Sequence, residues 1–363
     1  MEKNFDLLWD FLKKVDNDIT NNIFKVLDES DIAPDSLRLG VKAYFDRPSK
    51  KIRPGLVFLS GMHFGGEEIY SKLISAATAV ECFHTWTLVH DDIIDQDEKR
   101  RGKDTAHIAI AKYYKNLNLG IKNCEKLGTD MAILVGDIQQ GIAVNELIKS
   151  IEFGFSPKLI ISLINKMEND LKIKLIEGEA IDVELSELRL SDCLDKDKIY
   201  KMMAYKTGEL LKYAVYVGMV LGNNTLELDN EMNALLNAVE KMSLAFQLQD
   251  DILGIVGDEK KLGKPVGSDL REQKKTLLLI ESYKSLSKVD QDKFINLFEK
   301  DNKNEIDYKE MHDMIVKSGG IEKIKSVSES LLKEAIDLID LLRETEQKVY
   351  LKNLLEYMYK REW

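Results

Sequence analysis

The sequence predicts an all-α protein, and three observations carry that prediction. Proline occurs only five times, at positions 34, 48, 54, 157 and 265, leaving three proline-free tracts of about a hundred residues each. Within those tracts apolar residues recur with a helical period, whereas apolar–polar alternation bounded by turn residues is hard to find. Two stretches, GELLKYAVYVGMVLG and MAILVGDIQQGIAVNELI, are apolar nearly all round, as helices at the centre of a large bundle are.

In chain order, the opening MEKNFDLLWDFLKKVDND is amphipathic and acidic, unlike a signal peptide. RPSKKIRPGLVFLS places Lys50, Lys51 and Arg53 between Pro48 and Pro54, so a stiff turn presents cations just ahead of a buried helix. In LISAATAVECFHTWTLVHDD, Leu73, Ala76, Ala77, Val80, Phe83 and Thr87 share one helical face. Polar, turn-rich pieces at 112–130, 222–231 and 300–308 read as inter-helix loops, the first of them long. Tyr205-Lys206-Thr207-Gly208-Glu209 sets a lysine in an otherwise apolar helix, which is costly unless an anion meets it. KMSLAFQLQDD closes another apolar helix on paired aspartates. No composition break divides the chain and no solenoid repeat emerges, so residues 1–363 read as one helical domain with two matched acidic sites.

Composition narrows the function. A net charge of −11 argues against nucleic acid as a partner, which would need a basic surface. No apolar run approaches membrane-spanning length, so no stable membrane insertion is expected. Cys82, Cys124 and Cys193 are odd in number, widely spaced and without a CxxC pair, which points to reduced thiols in a cytoplasmic protein and to neither a disulfide frame nor a zinc site.

The chemistry lies in the acidic helix ends. In His90-Asp91-Asp92-Ile93-Ile94-Asp95, Asp91 and Asp95 are four apart and project from the same helical face. Stacked carboxylates of this kind suit magnesium, which takes one or two protein carboxylates and leaves its other positions to water and substrate phosphate. Arg100 and Arg101 follow beside Gly102 and offer planar forks for phosphate oxygens. Alone, DDxxD is a weak signal, and a solvated acidic helix end is the better reading of it. The second cluster shifts the balance: Asp250 and Asp251 again end an apolar helix, and Asp258, Lys264, Asp269, Lys274 and Lys275 follow. Two acidic ends trailed by cations and loop glycines read as a site for a polyanion bridged by metals.

These motifs together resemble the trans-isoprenyl diphosphate synthases, also called polyprenyl synthetases, from about residue 40 to 280 and in the family's order. SKKIRP resembles the family's GKxxRP turn, with Ser49 in place of the glycine. LVHDDIIDQDEKRRG resembles the first aspartate-rich motif, YKTGEL the lysine–threonine motif, and AFQLQDDILGIVGDEKKLGKPVGSD the second aspartate-rich motif. The wording is closest to archaeal-type short-chain members, the geranylgeranyl diphosphate synthases. The resemblance implies a bundle of long antiparallel helices around a central cavity, usually as a homodimer. It also implies a magnesium-dependent reaction in which an allylic diphosphate ionises and isopentenyl diphosphate attacks the carbocation, lengthening the chain by five carbons.

By the same resemblance, Asp91, Asp95 and Asp250 ligate the metals, with Asp92 and Asp251 beside them and Asp182 facing them from another helix. Arg100, Lys206 and Lys264 grip the allylic diphosphate. Lys50, Arg53, His84 and Arg101 hold isopentenyl diphosphate, with Lys274 among the substrate-binding cations; His84 is equally readable as a satisfied core histidine. Thr207 and Gln247 stand near the reacting carbons. Two departures stand out. Gly254 occupies the third carboxylate position of the second motif, so Asp258 or Asp269 is expected to compensate, and Glu179 stands where many relatives carry glutamine.

Trp86, five residues before Asp91, is expected either to pack in the core or to form a floor that stops chain growth, or both. The expected product is geranylgeranyl diphosphate, with farnesyl diphosphate the alternative. A non-catalytic subunit of a heteromeric synthase is disfavoured by the intact DDIID, and a terpene cyclase by the isopentenyl diphosphate cations.

Overall fold

In the computed structural model, which describes residues 2–47, 49–256 and 268–360, the chain is all-α. The helices are α1 (Glu2–Glu29), α2 (Asp35–Lys42), α3 (Ile52–Gly65), α4 (Ile74–Ile94), α5 (Ala106–Leu117), α6 (Cys124–Lys149), α7 (Pro157–Lys166), α8 (Lys172–Glu187) and α9 (Lys196–Met203). They continue with α10 (Glu209–Asn223), α11 (Asn230–Val256), α12 (Ser268–Arg271), α13 (Leu277–Ser285), α14 (Lys288–Phe298), α15 (Glu305–Lys317), α16 (Gly320–Asp340) and α17 (Glu346–Lys360). No helix among the described residues is long and apolar enough to cross a membrane.

The expected long loop at 112–130 is corrected. Lys112 to Leu117 complete α5, and α6 starts at Cys124, where Asn123 caps it by accepting from the Lys126 N–H at 2.8 Å. Polar composition there marks the wet faces of two helices, leaving a connection of 118–123. A hairpin unseen in the sequence separates α4 from α5: β1 (Lys99–Arg100) pairs antiparallel with β2 (Lys103–Asp104). Its turn residues, Arg101 and Gly102, are both left-handed (φ 53° and 77°), the backbone that two-residue hairpins require.

The described residues fall into two units. The first draws on Met1–Glu168, Tyr213–Leu228 and Thr345–Tyr350. In it α4 packs along α6 and against α3 and α1, while α2 and α5 pack on α6. Nearly every residue of α4 from Ser75 to Val89 is buried, including Val80 and Phe83 at 0% exposure. Each such large side chain contributes roughly 1.5–3 kcal/mol, so the apolar run fixes the helix and delivers its acidic end at a set place.

The second unit draws on Asn169–Lys212, Asp229–Glu344 and Leu351–Trp363. There α11 and α16 pack along one another, and Leu248, Ile252, Leu277, Leu278, Phe294, Phe298 and Ile315 share one core. A π-helical turn, Ala204–Gly208, leads into α10. The close approach of α8 to this turn needs a glycine: a Cβ on Gly178 would sit 2.6 Å from the Lys206 backbone nitrogen.

Candidate active site

At the end of α4, Asp91 and Asp95 bring carboxylate oxygens within 4.8 Å of each other. Asp95 closes the helix, its N–H donating to the Asp91 carbonyl at 2.8 Å. Asp92 turns the other way and is fully buried. The Tyr44 hydroxyl donates to one of its oxygens, and Arg100 donates to the other at 2.5 Å while reaching Asp91 at 3.1 Å. Burial pushes the Asp92 carboxyl up against the pull of Arg100. Burial would lower Arg100 too, but the charges of Asp92 and Asp91 outweigh it and hold the guanidinium above its usual value. Asp92 thus anchors Arg100 beside Asp91.

Arg47 fixes the hairpin that carries Arg100. It donates to the Arg100 carbonyl at 2.7 Å and the Asp104 carbonyl at 2.9 Å, and its cation lies 4.8 Å from the centre of the Tyr44 ring. The left-handed turn separates the adjacent arginines: Arg100 is half-buried against the aspartates and Arg101 is exposed at the tip.

The basic turn lies in the same unit. Lys50 is exposed, Lys51 is buried, and Arg53 donates to His84 Nε2 at 3.0 Å. Because Nε2 accepts, the His84 proton sits on Nδ1. Burial, then the charges of Arg53 and Arg101, hold His84 well below its usual 6.5, so the ring is neutral at pH 7. Burial lowers Arg53 to about 10, still protonated. His84 Nδ1, Arg53 Nε and Ser49 Oγ are buried without a hydrogen-bond partner among the described residues. Trp86 is buried against Phe83 (ring centres 4.8 Å apart) and edge-on to His90 (6.0 Å).

In the second unit, Lys206 projects from the π-turn to Asp182 at 2.7 Å and Glu179 at 3.0 Å, both on α8. These are the anions that its position in an apolar segment calls for. Thr207, beside it, is half-buried. On α11, Gln247, Asp250 and Asp251 follow at helical spacing and are all partly buried. Burial, then the charges of Asp269 and Asp250, push Asp251 well up. A Cβ on Gly254 would run into the Asp269 carboxylate, its Cγ lying 2.6 Å away. The Asp269 carboxylate therefore occupies space that a side chain at position 254 would need. Lys274 is exposed and pairs with Glu272 at 2.7 Å. Lys264 and Asp258 lie outside the described residues.

Both acidic clusters fit a hard divalent cation. Asp91 with Asp95, and Asp250 with Asp251 and Asp269, supply only oxygen donors, and the like-charge crowding that adds to burial in pushing Asp251 up is what a cation relieves.

The order of these groups along the chain matches a described family: the model for polyprenyl synthetase covers residues 35–315. The chain belongs to the polyprenyl synthetase family. As a polyprenyl synthetase it is a prenyltransferase of the short-chain isoprenyl diphosphate synthases, whose substrates are isoprenyl diphosphates. It is similar to the geranylfarnesyl diphosphate synthase of Aeropyrum pernix (31% identical, covering 93% of this chain and 98% of that protein). It is also similar to the geranylgeranyl diphosphate synthase of Sulfolobus acidocaldarius (32% identical, 89% and 90%). Among solved structures, the geranylgeranyl pyrophosphate synthetase of Pyrococcus horikoshii Ot3 superposes with a TM-score of 0.82 at 28% identity, covering 99% of each chain.

Within this polyprenyl synthetase, sequence reasoning missed the supports. Tyr44 and Arg47 carry no motif and act by holding Asp92 and the hairpin. Glu81 and Asp16, which meet Lys51, were equally silent. The one available signal was Arg47 itself, adjoining the SKKIRP turn.

Proposed function

We propose that this polyprenyl synthetase is a magnesium-dependent, chain-elongating prenyltransferase that condenses isopentenyl diphosphate with an allylic diphosphate to make geranylgeranyl diphosphate. The observation that carries this reading is the basic turn: three buried polar atoms, on Ser49, Arg53 and a neutral His84, lack hydrogen-bond partners among the described residues. A second diphosphate satisfies them, and an enzyme acting on one diphosphate alone has no use for them.

In the proposed reaction the allylic C1–O bond breaks and its electron pair leaves with diphosphate. The double bond of isopentenyl diphosphate attacks C1, and proton loss to the released diphosphate restores an alkene. Asp91, Asp95 and Asp250 would hold magnesium, which would supply Lewis-acid stabilisation of the leaving diphosphate. Arg100, Lys206 and Lys264 bind its oxygens, with Asp182, Asp251 and Asp269 supporting the metal-facing groups. Asp92, with both oxygens occupied, orients Arg100. Lys50, Arg53, His84 and Arg101 hold isopentenyl diphosphate, and Lys274 adds a cation near the second motif. Thr207 and Gln247 flank the reacting carbons, where a carbonyl or hydroxyl oxygen stabilises positive charge.

The proposal includes a single working domain across residues 1–363, supported by a family match that draws on both units, and a homodimer, checked by light scattering. The three cysteines are free and buried, which supports a reducing, cytoplasmic setting. The deciding assay incubates the protein with labelled isopentenyl diphosphate and dimethylallyl, geranyl or farnesyl diphosphate, with and without magnesium, and separates the dephosphorylated products. Twenty-carbon product that depends on magnesium supports the reading; fifteen-carbon product points to farnesyl diphosphate synthesis, and no turnover sinks it.

A further inference from the structure

Lys51 stands in the middle of the basic turn but does not share its exposure. Its side chain is 0% exposed, and its ammonium lies 2.9 Å from Glu81 and 3.7 Å from Asp16. Glu81 is on α4 and Asp16 on α1, so two helices hold one lysine. The Lys51 backbone is left-handed (φ 44°, ψ 42°), a conformation that L residues avoid unless their surroundings impose it. Immediately afterwards α3 begins, with the Gly55 N–H donating to the Lys51 carbonyl at 2.8 Å. Lys51 is thus the left-handed hinge from which α3 starts, and its buried ion pair ties that hinge to α1 and α4.

The attachment has a regular spacing. Glu81 and His84 are three apart on α4 and project from one face. They meet Lys51 and Arg53, two apart across the start of α3. The turn is therefore fastened to α4 at two points. One is the fully buried Lys51–Glu81 pair; the other is the Arg53–His84 bond, at which the partnerless Arg53 Nε and His84 Nδ1 lie.

We propose that Lys51 is a positioning residue for isopentenyl diphosphate: clamped by Glu81 and Asp16, it holds the left-handed hinge that sets Lys50 on the open side and Arg53 against His84. This rests on the reading that the turn binds that diphosphate. Lys51 touches no substrate in this account; it acts through the geometry of its neighbours. The buried Glu81 carboxylate accepts from this ammonium at 2.9 Å.

The test is steady-state kinetics on the full chain with both substrates varied. Lys51→Met is expected to raise KM for isopentenyl diphosphate about tenfold or more while KM for the allylic diphosphate stays within about twofold. Glu81→Gln, which keeps its shape and leaves the hinge lysine without its counter-charge, is expected to shift the same constant in the same direction. Should Lys51→Met fail to fold, Glu81→Gln alone decides. Equal changes in both KM values, or a fall in kcat with neither KM altered, would overturn the positioning role. Arg53→Gln separates the two layers: if it leaves KM for isopentenyl diphosphate unchanged, the substrate assignment of the turn is wrong. If Arg53→Gln raises that KM and the Lys51 and Glu81 variants do not, only the positioning role falls.

Discussion

The carboxylate of Asp269 rests against the α-carbon of Gly254, in the space that a side chain at 254 would need. That carboxylate comes from α12, fifteen residues later in the chain. Gly254→Asp is therefore expected to cost roughly 1–3 kcal/mol from overpacking alone. Asp269→Ser in that background should recover part of the loss. Urea denaturation of the two single variants and the double variant measures the coupling, and strictly additive losses would show that the positions are independent.

Arg100 and Asp92 form a pair in which the carboxylate is fully buried and the arginine side chain is 26% exposed. Arg100→Met strands that carboxylate, at a cost of about 3–5 kcal/mol. Adding Asp92→Asn should restore much of the stability and none of the turnover, because the cation at the acidic end is still missing. Melting curves and kcat, taken together, separate the two effects.

His84 makes a pH prediction with a definite sign. Its folded value lies below 6.5 because of burial and then the neighbouring arginine charges. Below 6.5 the unfolded chain binds a proton that the folded chain refuses, so this stability is complete above 6.5 and is lost as the pH falls toward the depressed folded value. The urea midpoint of the native protein should drop between pH 6.5 and 5, and that of His84→Gln should drop less. Identical slopes would place the ring in a milder environment than the structure shows.

Trp86 fills space between Phe83 and His90 on the buried face of α4. If it also stops chain growth, Trp86→Ala should yield products longer than twenty carbons, read by chromatography after dephosphorylation. A core-only role predicts lower stability with unchanged product length.

Divalent cations should act on stability as well as on turnover. Crowded carboxylates at Asp250, Asp251 and Asp269 repel one another, burial aside. Magnesium with a non-hydrolysable diphosphate should raise the melting temperature of the native protein, and the increase should be smaller in Asp250→Asn. Chelation should abolish turnover, with recovery on adding magnesium back.

The sequence displayed whatever depends on spacing along the chain. Proline scarcity and helical periodicity announced the fold class, and the aspartates at the end of α4 and in α11 were visible because carboxylates there interrupt apolar runs, although α11 continues past Asp251 to Val256 instead of ending on it. Lys206 was visible for the same reason, as a charge out of place. Contacts between distant segments were not. Tyr44, Arg47 and Glu81 gain their roles from partners 30 or more positions away, and nothing local distinguishes them. Lys51 was misread as one cation of a presented turn, because a buried lysine and an exposed one look alike until their neighbours are known. The 112–130 stretch was misread because helix surfaces and loops share a polar composition.

The hairpin tip has a practical consequence for anyone dissecting the double arginine by mutagenesis. Since residue 101 adopts positive φ, a β-branched replacement there would distort the loop as well as delete a charge, and its phenotype would be uninterpretable. Asparagine or glycine tolerates that backbone, so either one isolates electrostatics from shape. At position 100, inside a strand, the choice of replacement has no such restriction.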